Sequence, residues 1–395
     1  MSWLSVIGIG EDGWDGLSAS ARAALASAEV IIGGERHHGL APDLTGERVF
    51  WPSPFSAMRD QIAGYKTRRV AILVTGDPLW YSVGAYFAKN FGDACQFFPQ
   101  LSAFQWAAAR LGWSLADVET LTVHGRPVEQ IIPYFGTKQR LLILTKDAST
   151  PASVAALLTA RGYGASKMIV LGALGGADES RIQGVADRWH ATSPAFHVLA
   201  VDCVADPQAA LLPRVGLPDA AFAHDGQLTK RELRVQTLAA LDPQRGAMLW
   251  DLGSGCGSVA IEWMRAARDA RAIGVERSAD RRALAAQNAQ NLGAPAFKQI
   301  DANVADAIDD LPEPDAVFIG GGLDFDLAEK VIIRLPAHGR LVANAVTLES
   351  EGTLADLHQK HGGQLIRLAV SRAVQIGGKR GWKPAMPVTQ WVYVK

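Results

Sequence analysis

The run LWDLGSGCGSVAIEWM, residues 249–264, decides the fold. Leu249 and Trp250 end a short apolar run, Asp251 stands at its carboxyl edge, and Gly253, Gly255 and Gly257 allow a sharp backbone turn and a close approach to a ligand. Val259, Ile261, Trp263 and Met264 then supply the apolar residues of a helix packed on a sheet. Strand, glycine turn and helix in this order read as a nucleotide-type cofactor turn, and a glycine series alone leaves the cofactor open.

Working outward, the same alternation continues to the end of the chain. Helices are expected over 230–241, 259–270, 279–292, 327–335 and 348–361. Strands are expected over 248–251, 272–276, 297–300, 316–319 and 340–343. Strands alternating with helices predict a doubly wound, mostly parallel α/β sheet. Residues 365–369 and 389–394 form its antiparallel edge. Upstream, Pro207, Pro213, Gly216 and Pro218 mark a domain boundary near 205–220. This gives a first domain over 1–210, with α/β subdomains at about 1–115 and 116–210, and a second over 220–395.

The first half opens with a strand and Gly8, Gly10 and Gly13, then a helix over 17–28 and a strand over 30–32 closed by Gly33, Gly34 and Glu35. Glu35 lies 22 positions after Gly13, so a dinucleotide fingerprint is one reading, although Trp14, Asp15 and Gly16 intervene before the helix. A buried parallel strand over 70–74 runs into Thr75-Gly76-Asp77-Pro78. Asp77 and Pro78 either serve a ligand at the sheet's carboxyl edge or simply make the turn. A helix follows over 104–111. Strands come next over 121–123, 140–145, 168–171 (ending in Gly172) and 196–201, with a helix over 151–161. The loop after 121–123 carries His124 and Arg126, which either meet an anionic substrate or lie on plain surface. His37-His38 and the His358/His361 pair find no third ligand in sequence, so no metal site is expected.

Thirty-nine Lys and Arg against 40 Asp and Glu leave no basic field for nucleic acid, so an acidic ligand has to be met by local clusters. Three scattered cysteines fit a reduced compartment. The opening residues lack a secretory pattern, and no apolar stretch approaches a membrane span. The expectation is an untargeted cytoplasmic protein, a homo-oligomer without membrane or nucleic-acid partners.

Which cofactor the glycine turn serves follows from the neighbouring strand ends. Glu276 closes the next strand 19 positions after Gly257, where a carboxylate takes the ribose hydroxyls of an adenosine. Asp251 would repel a pyrophosphate but suits a cationic amino-acid tail, such as that of S-adenosylmethionine. Asp301, at the end of the following strand, lies near the place of an adenine amine, and Gly320 closes a fourth strand.

Residues 249–257 with Glu276 and Asp301 resemble class I S-adenosylmethionine-dependent methyltransferases. The runs HDGQLTKRELR (224–234), PDAVFIGGG (314–322), GRLVANAVTLESE (339–351) and GWKPAMPVTQW (381–391) resemble the C-terminal domain of the precorrin-6B C(5,15)-methyltransferases (decarboxylating) of cobalamin biosynthesis. The N-terminal half is similar to the tetrapyrrole methylase fold, through VIGIGEDG (6–13), GGERHH (33–38), TGDPLWYSVG (75–84), SAFQ (102–105) and HGR (124–126), with Gly10-Glu11-Asp12 in place of the usual glycine-proline.

The resemblance implies methylation of precorrin-6B at carbons 5 and 15, with loss of carbon dioxide from the ring C acetate, giving precorrin-8. Carbon 5 falls to the N-terminal domain, and carbon 15 with decarboxylation to the C-terminal one. It implies two S-adenosylmethionine sites per chain. One lies against Thr229, Gly253, Ser254, Gly255, Cys256, Gly257, Glu276 and Ala302. The other lies against Gly76, Asp77, Pro78, Ser102, Ala103, Leu171 and Gly172. Asn344 and Glu349 are candidates for orienting the ring C acetate. Arg372, Lys379, Arg380 and Lys383 read as a mobile basic lid over the acidic tetrapyrrole. A cobalt-containing substrate, a dinucleotide oxidoreductase and a non-catalytic tetrapyrrole carrier are the alternatives.

Overall fold

The computed structural model describes residues 2–395 and divides into two compact units. One is the chain up to Val128 together with Tyr134–Ala209; the other joins Glu129–Pro133 to Ala210–Lys395.

The first unit holds two five-stranded sheets. Strands β1 (Leu4–Ile9), β2 (Val30–Gly33), β3 (Glu47–Phe50), β4 (Val70–Thr75) and β5 (Cys95–Phe98) pair in the order β3-β2-β4-β1-β5, every pairing parallel. The central β4, VAILVT, is buried over Val70–Val74, as an apolar run covered on both faces must be. Strands β6 (Glu119–Thr122), β7 (Arg140–Leu144), β8 (Lys167–Gly172), β9 (Ser180–Val185) and β10 (His197–Asp202) pair in the order β6-β7-β10-β8-β9, only β6 and β7 being parallel. The helix expected over 17–28 is shorter, Ala19–Ala26, and starts where the Ser18 hydroxyl accepts a hydrogen bond from Ala21 N at 3.2 Å.

The second unit contains β11 (Met248–Leu252), β12 (Arg271–Val275), β13 (Lys298–Ile300), β14 (Ala316–Ile319), β15 (Arg340–Ala345), β16 (Gln364–Leu368), β17 (Ser371–Ile376), β18 (Lys379–Pro384) and β19 (Val388–Val394). Its main sheet runs β13-β12-β11-β14-β15-β19-β16, parallel as far as β15 and antiparallel at β19 and β16. The sequence thus correctly places the antiparallel edge. The basic stretch read as a lid loop is instead the two-stranded hairpin β17–β18.

Helix Ser258–Ala266 follows the glycine turn and stops short of the expected 270. It carries Glu262, fully buried, facing the equally buried Arg234 of helix Arg231–Leu241. The guanidinium Nε donates to Glu262 Oε1 at 2.5 Å, and the carboxylate also accepts from Gly216 N (2.5 Å) and Leu217 N (3.0 Å). Arg234 also donates to the carbonyls of Leu217 and Thr229, each at 2.5 Å, and to Asp219 at 3.3 Å. Every charged end is therefore satisfied, the condition under which a buried ion pair is tolerated. The end of the stretch read as a domain boundary, Gly216 and Leu217, is bound by these contacts to the second unit. Among the described residues no helix is long and apolar enough to cross a membrane.

Breaking this pair leaves an uncompensated buried charge, which costs about 3–5 kcal/mol. Arg234→Met should lower a calorimetric unfolding transition by roughly 10 °C, whereas an unchanged thermogram would show that the pair does not secure the second unit.

Candidate functional site

The carboxyl ends of β11, β12 and β14 border a cavity of about 960 Å³ in the second unit. Gly253 (φ 74°) and Gly255 (φ 55°) take left-handed backbone angles that side chains resist. Gly253 has a second reason: a Cβ there would lie 3.0 Å from the backbone of Gly321 in the neighbouring turn. Gly255 faces open space, so its missing side chain leaves room in the cavity. Thr229, Asp251, Gly253, Ser254, Gly255, Cys256, Glu276, Ala302, Asn344 and Arg372 all border this space.

The two carboxylates sit differently from simple ligand hooks. Asp251 is 1% exposed, and its Oδ2 accepts a hydrogen bond from Ala260 N at 3.1 Å in the first turn of the following helix. Burial pushes its pKa up to about 7; the Ala260 bond opposes this and nearby Glu276 adds to it. Glu276 accepts from Gly255 N at 3.1 Å through Oε2 and from Ser278 N at 2.9 Å through Oε1, so it braces the glycine turn. Burial also pushes the Cys256 thiol up, which leaves it a poor nucleophile.

Some expected residues lie elsewhere. Gly257 is not on the cavity wall; it is the left-handed cap of the helix, pressed against Phe297 and Ala285. Asp301 turns outward, its side chain 69% exposed and paired with Arg282 at 2.6 Å. Arg282 in turn donates to the Glu276 carbonyl at 2.8 Å. At the end of a three-residue edge strand, nothing covers Asp301 and it pairs at the surface rather than beside a ligand. Glu349 lies in the exposed first turn of helix Leu348–His361, away from the cavity. Lys379, Arg380 and Lys383 on β18 are exposed and also off the wall. Arg372 reaches the wall but is paired with Glu232 and Asp219.

Three residues not among the expected site residues complete the site. The Asn344 amide donates to Thr237 Oγ1 at 3.0 Å, and its carbonyl accepts from Gln390 Nε2 at 2.9 Å; Gln390 also reaches Thr237 at 3.1 Å. Thr237 and Gln390 are wholly buried, so they hold Asn344 in one orientation at the cavity edge. Asn288 donates to the carbonyls of Cys256 (3.0 Å) and Ala223 (2.9 Å), tying the glycine turn to the segment before Thr229.

The first unit has its own cavity of about 690 Å³, between its two sheets. Gly76, Asp77, Ser102, Ala103, His124, Arg126 and Leu171 line it. Gly76 (φ 61°) turns the chain at the end of β4, with its amide donating to Ile9 O at 3.0 Å. Asp77 Oδ1 accepts from Leu79 N at 2.8 Å, so its turn-making role is real even though it faces the cavity. Ser102 caps helix Ala103–Leu111 by a reciprocal pair with Gln105. Pro78 and Gly172 are off the wall: Pro78 packs under Gly84, and Gly172 sits where a Cβ would meet Ser180 at 2.6 Å.

The opening glycines do not form a dinucleotide turn. Gly8 is needed because the Gly76 carbonyl presses against it, and the helix after Gly10 has only four residues, Gly13–Gly16. That is too short to aim amides at a pyrophosphate. Arg36, His37, Thr75 and Lys146, not among the expected site residues, line the same cavity.

The buried Asp251 carboxylate, the braced Glu276 and the glycine turn of the second unit fit a ligand with a cationic tail and an adenosine. Comparison with known proteins narrows this further. A model described as "Precorrin methyltransferase domain" matches residues 220–395, and one described as "Tetrapyrrole (Corrin/Porphyrin) Methylases" matches 4–188. A Sinorhizobium sp protein named precorrin-6Y C(5,15)-methyltransferase [decarboxylating] is 44% identical over 398 residues, covering 100% of this chain and 96% of that protein. A protein of the same name from Mycobacterium tuberculosis (strain CDC 1551 / Oshkosh) is 39% identical, covering 99% of this chain and 100% of its own. The solved C-terminal domain of precorrin-6Y C5,15-methyltransferase from Rhodobacter capsulatus is 45% identical, covering 47% of this chain and 100% of that one, with a TM-score of 0.45. Matched end to end by relatives of one name, the chain belongs to the family of the precorrin-6Y C(5,15)-methyltransferases (decarboxylating), methyltransferases that use S-adenosylmethionine.

Proposed function

We propose that the chain carries out two methyl transfers on one acidic tetrapyrrole, precorrin-6B (precorrin-6Y), at carbons 5 and 15, with loss of carbon dioxide from the ring C acetate. The observation that carries this reading is the presence, in each unit, of a separate cavity built on a glycine turn and an acid at the carboxyl ends of parallel strands. The N-terminal cavity serves carbon 5 and the C-terminal one carbon 15 with the decarboxylation. S-adenosylmethionine, when bound, supplies an electrophilic methyl group at each.

The residues have positioning work to do. In the second unit the buried Asp251 carboxylate takes the ammonium of the amino-acid tail. Glu276, fixed by two backbone amides, meets the ribose hydroxyls, with Thr229 and Ala302 alongside. Asn344 has one amide hydrogen beyond its internal bonds to offer a substrate carboxylate. Arg372, held at the rim, shares a face of its hairpin with Lys379 and Lys383, since Arg372 is paired in register with Lys383. That face suits the carboxylates of the tetrapyrrole; Arg380 lies on the other. In the first unit His124 and Arg126 take the same role. A reduced tetrapyrrole is itself an enamine-like carbon nucleophile, so alignment and exclusion of water account for most of the catalysis.

Incubation with precorrin-6B and methyl-labelled S-adenosylmethionine should give a product that has gained two labelled methyl groups and lost one carbon dioxide. A single gain by mass spectrometry would leave one cavity without this role.

Titration calorimetry with S-adenosylhomocysteine should show two equivalents per chain for the wild type. Gly255→Val, which puts a branched side chain into the second unit's cavity at a left-handed position, should show one. One equivalent for the wild type would overturn the two-site reading.

The Asp251 carboxyl also makes binding pH-dependent. Its pKa near 7 in the free chain lies above the ordinary value of 3.8, so acid protonates it before ligand arrives. An α-ammonium group stays charged over pH 5–7, as it titrates only at about 7.7–8.0. Affinity at this site should therefore fall up to about tenfold per unit as pH drops from 7 to 5. Asp251→Asn should bind weakly with a flat profile, and a wild-type profile equally flat would remove the ammonium from this carboxylate.

A further inference from the structure

The N-terminal cavity holds a hydroxyl whose hydrogen-bonding role is dictated by its neighbours. His37 Nδ1 accepts a hydrogen bond from Gly34 N at 3.1 Å. A backbone N–H only donates, so Nδ1 carries no proton, and the neutral ring must carry its proton on Nε2. Burial, with Arg36 and His38 adjacent, pushes the His37 pKa down to about 4, in keeping with a ring that stays neutral. Nε2–H therefore donates to Thr75 Oγ1, at 2.9 Å. Arg36 Nη1 donates to the same oxygen at 3.1 Å. Two incoming donors occupy both lone pairs of Thr75 Oγ1, and its own O–H has to point elsewhere. Thr75, Arg36 and His37 all stand on the cavity wall.

The partners that impose this are themselves fixed. Arg36 is ion-paired with Glu11, and its guanidinium lies 4.1 Å over the ring of Phe196. Arg36, Arg126 and Lys146 stand on the wall with Glu11 and Asp77, three cations to two carboxylates. The surroundings of the donor thus favour an anion.

We propose that Thr75 is a substrate-positioning donor of the N-terminal site, its hydroxyl donating to a carboxylate of the tetrapyrrole, with Arg36 and His37 as the residues that aim it. This rests on the reading of that cavity as the carbon 5 methylation site. A carboxylate is also present on the tail of S-adenosylmethionine, and the experiment separates the two sources.

The test uses the full chain, Thr75→Val (same shape, no donor) and Thr75→Ser (donor kept). Each is incubated with precorrin-6B and carbon-13 methyl-labelled S-adenosylmethionine. NMR then resolves label at carbon 5 from label at carbon 15. Thr75→Val should raise the KM for precorrin-6B in carbon 5 transfer about 10- to 100-fold, the range for a hydrogen bond to a charged group. Label should enter carbon 15 as in the wild type, the calorimetric Kd for S-adenosylhomocysteine should be unchanged, and Thr75→Ser should recover the loss. A Thr75→Val chain with the wild-type KM and rate at carbon 5 overturns the proposal. Weakened S-adenosylhomocysteine binding with an unchanged KM for precorrin-6B overturns it too, giving the hydroxyl to the cosubstrate. A wild type that places no label at carbon 5 overturns instead the reading of the cavity on which the proposal rests.

Discussion

The second unit depends on one buried pair, Arg234 with Glu262. Two charges out of water are a liability unless every remaining hydrogen-bonding position is filled, and here the backbone of residues 216–229 fills them. The consequence is structural economy: the same contacts that satisfy the ions hold the strap that carries Thr229 against helices Arg231–Leu241 and Ser258–Ala266. Asn288 adds a second tie, from Ala223 to the carbonyl of Cys256 in the glycine turn. The cavity wall is thereby joined to the core by polar bonds whose loss would leave buried groups unpaired.

The strands and glycine turns were legible because their signals are local. The buried parallel strands read as apolar runs, and alternate glycines mark where the chain must turn next to another backbone. What failed to show in the sequence depends on position in the sheet or on partners far along the chain. Asp301 has the same strand-end pattern as Asp251 and Glu276, but its strand is the sheet edge, where solvent and Arg282 claim the carboxylate. Glu349 follows a strand as expected, yet the turn of its helix points it outward. The hairpin β17–β18 is exposed along most of its length and rich in Lys, Arg and Gly, so no buried face gave it a period-two pattern. β9 escaped notice for a related reason: an edge strand, SRIQGV, that buries little.

The polar residues that shape the cavities were the least visible. Thr237 and Gln390 are 153 residues apart and meet only because β15 and β19 pair antiparallel beside helix Arg231–Leu241. Arg36 and His37 meet Thr75 through the neighbouring ends of β2 and β4. No spacing rule encodes such meetings; the topology creates them.

Both cavities share a physical design although they sit on different folds. In each, the polar groups that face the cavity have some of their hydrogen-bonding capacity already engaged within the chain. Glu276 has both oxygens on backbone amides, Asn344 is held at both ends of its amide, Asp251 has one oxygen on Ala260 N, and His37 admits a single tautomer. Groups engaged in this way do not need to reorient when a ligand arrives, so their dipoles point in the required direction beforehand. For the methyl transfers we propose, in which the nucleophile needs no strong base, that fixed orientation is the main contribution a protein can make. It also explains why these polar residues are worth burying at all, since an apolar wall would be easier to pack but would leave the approach of donor and acceptor undirected.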